Sequence, residues 1–212
     1  HKRNEAIMSA RLRLLEYATC HSTDELLQKT LDEAENLTGS CIGFYHFVDP
    51  DEQALTLHAW STRTAQEFCK AKCAGSHYAV SVAGVWVDCI HERRPVIHND
   101  YNALFHRKGM PEGHAKVTRE LVVPVFRNGK IVAVLGVGNK EIDYNHHDVE
   151  TVCLLADLAW DTVERKLAEE RYRQLFDKML DGYALHEIIC DDQGQPVNYR
   201  FLTVNPAFET LT

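Results

Sequence analysis

Apolar and polar residues follow two different periods along this chain, and the changes of period predict the order of its helices and strands. Near the start, apolar residues recur every three or four positions, which predicts a helix from about residue 4 to residue 20. Its apolar seam consists of Ile7, Ala10, Leu14 and Tyr17. We expect this seam to pair with the same helix of a second copy of the chain. A capping box at 22–25 begins a second helix, which Gly39 ends.

The next apolar runs are short and typical of strands. Residues 41–48 and 54–60 predict two strands around a turn at 49–53, where a proline and two aspartates favour reversal of the chain. The strongest local signal is the run from Glu120 to Lys140, in which Asn128-Gly129 separates two apolar segments. Asn-Gly in this position predicts a β-hairpin.

Between these strand pairs the pattern is less regular. It predicts helices from Thr64 to Gly75 and from Ser81 to about Arg93, the second burying Val82, Val85, Trp86 and Cys89. Residues 95–99 predict a strand. Residues 100–118 have no period and predict a long loop, a type of segment that is often functional.

The residues after the hairpin predict a long helix from about Asp148 to about Leu180. A second three-four rhythm along it comprises Val149, Val152, Ala156, Ala159 and Val163, which we also interpret as a dimer seam. Together these elements predict an α+β fold, an antiparallel sheet with flanking helices on one face.

Composition narrows the class of protein. The 212 residues carry a net charge of −8 and no basic run, which argues against nucleic acid as a partner. No apolar stretch reaches the roughly 20 residues of a membrane helix, and the first residues lack a signal peptide core, so we expect a cytoplasmic location without membrane contact. Seven scattered cysteines fit a reducing compartment better than a disulfide framework.

Residues 139–148 provide a first family resemblance. Asn139-Lys140, Tyr144 and Asp148 resemble the Asn-Lys, Phe, Asp-Glu signature found in one branch of GAF domains, the small-molecule sensor modules of signalling proteins. Tyrosine replaces the phenylalanine, and Val149 separates the two acids. The resemblance extends from about residue 11 to residue 166. It implies that Lys140 and Asp148 form a structural clasp, and it does not imply cyclic nucleotide binding.

A second resemblance begins near Arg171. The predicted strands at 184–190 and 197–204, followed by Asn205-Pro206-Ala207-Phe208, resemble the opening of a PAS domain. We interpret it as a PAS domain cut short, whose strand edges favour dimerisation or strand exchange. The predicted division is a dimerisation helix at 1–20, a GAF sensor domain at 21–166, a helical linker at 167–180 and a partial PAS domain at 181–212.

The GAF resemblance implies a ligand pocket between the sheet and residues 68–114. We expect apolar walls and a few polar groups that orient the ligand. The predicted pocket residues are Phe44, Trp60, Tyr78, Trp86, Cys89, Asp100, Tyr101, His106, His114 and Glu120. His98 flanks the long loop and joins His106 and His114 as a candidate for the pocket mouth.

Other chemistry has weaker support. Cys69, Cys73 and His77 share one face of a continuous helix, but Gly75 interrupts that helix and a fourth ligand is not evident, so we predict no metal site. Nothing in the sequence identifies a cofactor or singles out a cysteine for attachment of a bilin. Walker, dinucleotide and serine hydrolase motifs are absent from the sequence.

We therefore predict a sensory module, not itself an enzyme, from a sensor histidine kinase or a diguanylate cyclase. It binds a small ligand, forms a homodimer through its first and last helices, and passes the signal to a downstream output domain. Two alternatives stay open. One is a GAF-fold thiol reductase acting on free methionine sulfoxide through Cys89 with Cys69 or Cys73, and the other is a module that binds nothing and only dimerises.

Overall fold

The structure is a computed structural model that describes residues 2–68, 77–105 and 116–211. Contacts divide it into two units, residues 1–163 and 164–212. Six strands belong to the first unit: β1 Ile42–Val48, β2 Ala54–Trp60, β3 His77–Ala79, β4 Val96–His98, β5 Glu120–Arg127 and β6 Lys130–Gly138. They form one sheet in the order β3-β2-β1-β6-β5-β4. Every neighbouring pair is antiparallel.

Local signals explain the best-defined turns. Between β5 and β6, Asn128 and Gly129 both adopt positive φ, at 52° and 76°, as a tight hairpin turn requires. The predicted hairpin and the β1–β2 pair are present. The antiparallel sheet with flanking helices that the sequence predicted is therefore confirmed. The short edge strand β3 was not predicted, because three residues are too few to establish a period.

Helices α1 Lys2–Ala18, α2 Thr23–Thr38 and the first half of α4, His146–Lys178, contribute to one core with the sheet. The capping box at the start of α2 is complete: the Glu25 backbone N–H donates to the Ser22 hydroxyl, and the Glu25 carboxylate accepts from the Ser22 backbone N–H. Gly39 ends α2 at φ 73°, in the left-handed region. We call the sheet face under these helices the helix face.

The burial of α1 and α4 corrects the two predicted dimer seams. On α1, Ile7, Ala10 and Leu14 are at most 8% exposed. Four of the five predicted seam residues on α4, namely Val152, Ala156, Ala159 and Val163, are at most 1% exposed. These stripes pack in the core of their own chain, so they are not dimer seams. The periodicity correctly indicated an apolar face but did not reveal which surface covers it.

The opposite sheet face, which we call the outer face, carries a smaller core with short and irregular cover. Its buried members include Val48, Leu55, Cys89, Val122 and Val134. The helix predicted from Ser81 to Arg93 is wrong. Residues 80–82 and 85–87 form separate 3₁₀ turns, and only α3, Asp88–Glu92, is α-helical. The extended backbone of Gly84 and the β-branched valines around it disfavour a continuous helix.

The other irregular predictions are met only in part. The helix predicted from Thr64 is a single π-helical turn over Thr64–Phe68, and the rest of it lies outside the described residues. Of the long loop, residues 101–103 form a 3₁₀ turn, and residues 106–115 lie outside the described residues.

The second unit contains the end of α4, β7 Ala184–Cys190, β8 Pro196–Val204 and α5 Pro206–Leu211. The two strands form an antiparallel ribbon. Asn205 is fully buried between them and the helices of this unit. The long helix predicted to about Leu180 ends at Lys178. None of the helices in the described parts of the chain is long and apolar enough to span a membrane.

Candidate ligand site on the outer sheet face

Four aromatic side chains gather on the outer face, and we call Phe44, His46, Trp60 and Trp86 the aromatic cluster. The Phe44 ring lies 6.3 Å from the Trp60 ring and 5.7 Å from the Trp86 ring between centroids, both at an interplanar angle of 75°. The Trp86 indole also stacks on the His46 imidazole at 4.6 Å. Phe44, Trp60 and Trp86 are each partly exposed, so the cluster offers aromatic surface to a ligand.

His46 is the polar member of this cluster. It is 5% exposed, and burial, with a smaller contribution from nearby His58, lowers the pKa of its imidazole to about 3. The ring is therefore neutral at physiological pH, with one nitrogen as donor and the other as acceptor. Strand alternation places His46 two residues after Phe44 on the same face of β1.

A second group on this side consists of Asp88, His98 and Glu120. The register of β4 and β5 pairs His98 with Glu120, and His98 Nδ1 lies 2.8 Å from Glu120 Oε1. His98 Nε2 lies 3.3 Å from Asp88 Oδ2. Burial raises the pKa of the Glu120 carboxyl, and the hydrogen bond to Glu120 raises the pKa of the His98 imidazole. One imidazole thus bridges two carboxyl groups.

Cys89 follows Asp88 in the sequence and contacts Trp86, so it lies between the carboxyl–imidazole group and the aromatic cluster. It is not arranged as a nucleophile. Its thiol is fully buried and lies 3.7 Å from the Trp86 carbonyl oxygen, to which it donates. Burial, together with the charges of Glu120 and Asp88, raises the pKa of this thiol far above its ordinary value. Catalytic thiols require the opposite, a lowered pKa and an accessible sulfur.

The structure brings together part of the predicted site. Phe44, Trp60 and Trp86 meet in the aromatic cluster, and Cys89 contacts Trp86. Glu120 lies instead with His98.

Asp100 and Tyr101 have local structural roles. The Asp100 carboxylate is exposed and accepts from the Ala103 backbone N–H, so it caps a turn. Tyr101 is 5% exposed, and its backbone N–H donates to the Thr118 carbonyl oxygen.

Several predicted site residues lie in the parts of the chain that the structure does not describe. The side chain of Tyr78, the residues His106 and His114, and the Cys69 and Cys73 thiols lie outside the described residues, as does the His77 side chain. Within the described ranges, no group of three or more His, Cys, Asp or Glu side chains is placed to hold a metal ion.

Sequence reasoning missed His46 and Asp88 as members of the site. Both had a usable signal: His46 lies two residues after Phe44 in a predicted strand, and Asp88 immediately precedes Cys89. His46 does not stand out in the sequence, because the chain has twelve histidines and a strand position alone does not distinguish a buried imidazole. Asp88 does not stand out either, because a continuous helix over this segment would place it away from the apolar face that contains Trp86 and Cys89.

Lys140 and Asp148 join the end of the sheet to the start of α4. Lys140 Nζ lies 2.6 Å from Asp148 Oδ2, and the two side chains are 11% and 7% exposed. The same carboxylate oxygen accepts from the Asn145 backbone N–H. The pair is thus an internal contact of the chain.

Comparison with protein families identifies this architecture. The GAF domain model matches residues 20–164, about two thirds of the chain. The chain belongs to the GAF domain family. The PAS domain model matches residues 170–212, which comprise most of the second unit. The chain thus combines a GAF domain with a PAS segment, two sensory domain folds of signalling proteins.

A curated relative and two solved structures resemble the GAF domain. The methyl sulfide methyltransferase-associated sensor of Methanosarcina acetivorans is 39% identical over 155 residues, 72% of this chain and 15% of that protein. The GAF domain of a phosphoenolpyruvate-protein phosphotransferase from Coxiella burnetii has a TM-score of 0.65 at 12% identity, covering 79% of this chain and 98% of that one. Free methionine-R-sulfoxide reductase from Neisseria meningitidis has a TM-score of 0.60 at 15% identity, covering 79% and 91%. These structures are similar in fold.

Proposed function

We propose that this chain is the sensory region of a larger signalling protein, in which the GAF domain binds a small ligand at the aromatic cluster and transmits the binding to α4. The curated relative is named as a sensor, and this chain spans about 15% of its length. A GAF domain followed by a PAS segment favours the same role. The output domain is a histidine kinase or a diguanylate cyclase, and the working unit is a cytoplasmic homodimer.

The observation that carries the proposal is the alternation of β1 between the two faces of the sheet. Phe44 and His46 belong to the aromatic cluster on the outer face. Tyr45 and Phe47, the intervening and following residues, contact α4 on the helix face. A ligand that displaces β1 from the outer face must therefore also move the side chains that touch the helix.

The contacts on the helix face are specific. The Tyr45 hydroxyl donates to the Ala156 carbonyl oxygen at 3.3 Å, and Tyr45 is fully buried. The Phe47 ring meets the Trp160 ring edge to face at 5.2 Å. Both contacts fall within about one turn of α4, so a small displacement of β1 acts on a single site of the helix.

A second link fixes the same stretch of α4 to the β5–β6 hairpin. The Arg127 guanidinium donates to Asp157 Oδ1 at 3.1 Å and to Asp161 Oδ1 at 2.5 Å. Because β6 lies beside β1, hairpin and strand move as one sheet against the helix. Ligand binding then shifts the population between two packings of α4, provided that the ligand prefers one of them.

Native mass spectrometry of the purified chain tests the proposal. We expect a retained mass of a few hundred daltons that is absent from the denatured spectrum. Trp86 and Trp160 provide a matched pair of variants, since both are half-buried tryptophans and they pack on opposite faces of the sheet. Trp86→Leu should lose the ligand, whereas Trp160→Leu should retain it.

Other outcomes would contradict this site. If Trp160→Leu loses the ligand and a correctly folded Trp86→Leu retains it, the ligand binds elsewhere. If the parent chain carries no extra mass, the ligand-free chain is titrated with candidate ligands while tryptophan fluorescence is followed. No response of the aromatic cluster to any of them would favour the alternative of a module that only dimerises.

A further inference from the structure

Helix α1 has a second apolar stripe in addition to the one that packs in the core. Met8, Leu12 and Leu15 are 54%, 55% and 41% exposed. They are spaced four and three residues apart, which is the repeat of a two-stranded coiled-coil seam. At roughly 100° per residue, this outer stripe lies about a third of a turn around the helix from Ile7, Ala10 and Leu14.

Heptad positions follow from this spacing. With Met8 and Leu15 at position d and Leu12 at position a, the core residues Ile7 and Leu14 fall at position c. Positions a and d face a partner helix, whereas c faces away from it. A single helix can therefore pack on its own sheet and on another helix at the same time.

The charged residues beside the outer stripe favour a second copy in parallel orientation. Arg11 occupies position g and Glu16 the following position e. In a parallel pair, position g of one helix lies next to position e of the following heptad of its partner. Two identical helices therefore bring Arg11 of each copy to Glu16 of the other.

We propose that α1 pairs in parallel with α1 of a second copy through the outer stripe Met8, Leu12 and Leu15, with Arg11 and Glu16 pairing across the seam. This inference rests on the proposed function only in expecting a homodimer. It replaces the seams predicted from the sequence, which are buried. Three seam residues per chain form a short interface, so the dimer should depend on protein concentration.

Disulfide cross-linking tests the seam and its orientation. Leu12→Cys should cross-link to itself under mild oxidation well above the level of the parent chain, whose own cysteines set the baseline. Ala6→Cys is the matched control, because Ala6 is exposed on the same helix at position b, facing away from the seam. An antiparallel pair would instead favour cross-links between mixed Met8→Cys and Leu15→Cys chains, which would overturn the parallel arrangement.

Charge reversal tests the partner without altering the apolar stripe. Arg11→Glu and Glu16→Arg should each weaken dimerisation several-fold in sedimentation equilibrium, and the double variant should restore it. If the single variants leave the dimer unchanged, the two residues do not pair between copies. A parent chain that stays monomeric at high micromolar concentration would overturn the seam entirely.

The two proposals can fail independently. Leu12→Asp should give a folded monomer, shown by an unchanged far-ultraviolet circular dichroism spectrum and reduced mass in sedimentation. If the Leu12→Asp variant and the parent chain both carry ligand but the parent never dimerises, the proposed α1 seam is wrong and the proposed ligand site is retained. If the parent dimerises through Leu12 and binds nothing, the seam stands and the ligand site is wrong.

Discussion

The Phe44 ring lies directly over Gly136, its partner across the β1–β6 ladder. A Cβ atom built on Gly136 would come within 2.1 Å of Phe44 Cζ, far inside van der Waals contact. The absence of a side chain at this position therefore lets the ring lie against the sheet. From there Phe44 reaches both Trp60 and Trp86, so Gly136 shapes the aromatic cluster without being part of it.

We expect Gly136→Ala to displace Phe44 and disturb the aromatic cluster. Forcing a methyl group into packed surroundings should lower the free energy of unfolding by about 1–3 kcal/mol. The three tryptophans all lie in the first unit, so their emission reports on this displacement. Urea unfolding followed by fluorescence gives both the free energy of unfolding and the tryptophan emission of the folded protein.

Gly138→Ala is the control on the same strand. A Cβ there would lie 3.3 Å from its nearest neighbour, the Arg119 carbonyl oxygen, so it requires a much smaller shift than the 2.1 Å contact at Gly136. Its effect on stability should be smaller, and the emission of the folded protein should change little. If the two variants behave alike, the contact between Phe44 and Gly136 does not organise the cluster.

His46 makes the stability of the GAF domain depend on pH. Its pKa is about 3 in the fold and 6.5 in the unfolded chain, so the unfolded state takes up a proton as pH falls below 6.5 while the folded state does not. The contribution to stability is therefore complete above pH 6.5 and is lost as pH falls towards 3. Between pH 7 and pH 5 we expect this single group to remove about 2 kcal/mol.

His46→Phe keeps an aromatic ring against Trp86 and removes the titration. Buried carboxyls with raised pKa, such as Glu120, act in the opposite direction, so the comparison between the variant and the parent isolates His46. The measurement is the free energy of unfolding at pH 7 and pH 5 for each protein. An identical loss in parent and His46→Phe would show that His46 does not carry it.

Local signals in the sequence predicted the elements that depend on local chemistry. The Asn128-Gly129 turn and the capping box at Ser22 need particular residues at particular positions, and both are recognisable without the rest of the chain. The prediction of a helix between Ser81 and Arg93 was wrong because no local signal there specifies the observed structure. The apolar spacing of this segment fits a helix, but Gly84 and the valines break it into short turns that only tertiary packing defines.

The site and the seams show what periodicity cannot provide. Phe44, Trp60 and Trp86 could be chosen as large aromatics, but their meeting depends on strand order and on the space above Gly136. The pairing of His98 with Glu120 depends on the register of β4 with β5. On α1, the periodic pattern indicated an apolar face at Leu14, and only burial shows that the face at Leu12 is the exposed one.

Cys89 should be chemically inert in the folded protein. Its thiol is buried, and burial next to Glu120 and Asp88 raises its pKa, so the reactive thiolate is scarce at neutral pH. In brief alkylation with iodoacetamide, peptide mass spectrometry should show the exposed Cys20 and Cys190 modified and Cys89 protected until the protein is unfolded. Rapid labelling of Cys89, or turnover of free methionine sulfoxide that Cys89→Ser abolishes, would instead favour the thiol reductase.

Asn205 fixes the junction between the end of α4 and the PAS segment. Its Oδ1 accepts from the Tyr183 and Phe208 backbone N–H groups at 2.7 and 3.0 Å, and its Nδ2 donates to the Asp181 carbonyl oxygen at 2.9 Å. One buried amide thus satisfies backbone groups before β7, after α4 and in the first turn of α5.

We expect Asn205→Ala to leave these backbone groups unsatisfied and to cost the second unit about 2 kcal/mol or more. Hydrogen exchange followed by mass spectrometry should then show faster exchange in peptides covering 176–183 and 205–211, with no change in the sheet of the GAF domain. Asn205→Asp keeps the acceptor but loses the donor to Asp181, so its exchange should be intermediate. Asn198→Ala provides the control. Asn198 is exposed, and the described hydrogen bond of its side chain is the one that Oδ1 accepts from the adjacent Tyr199 backbone N–H. Equal exchange in Asn205→Ala and Asn198→Ala would show that the buried amide does not hold the junction together.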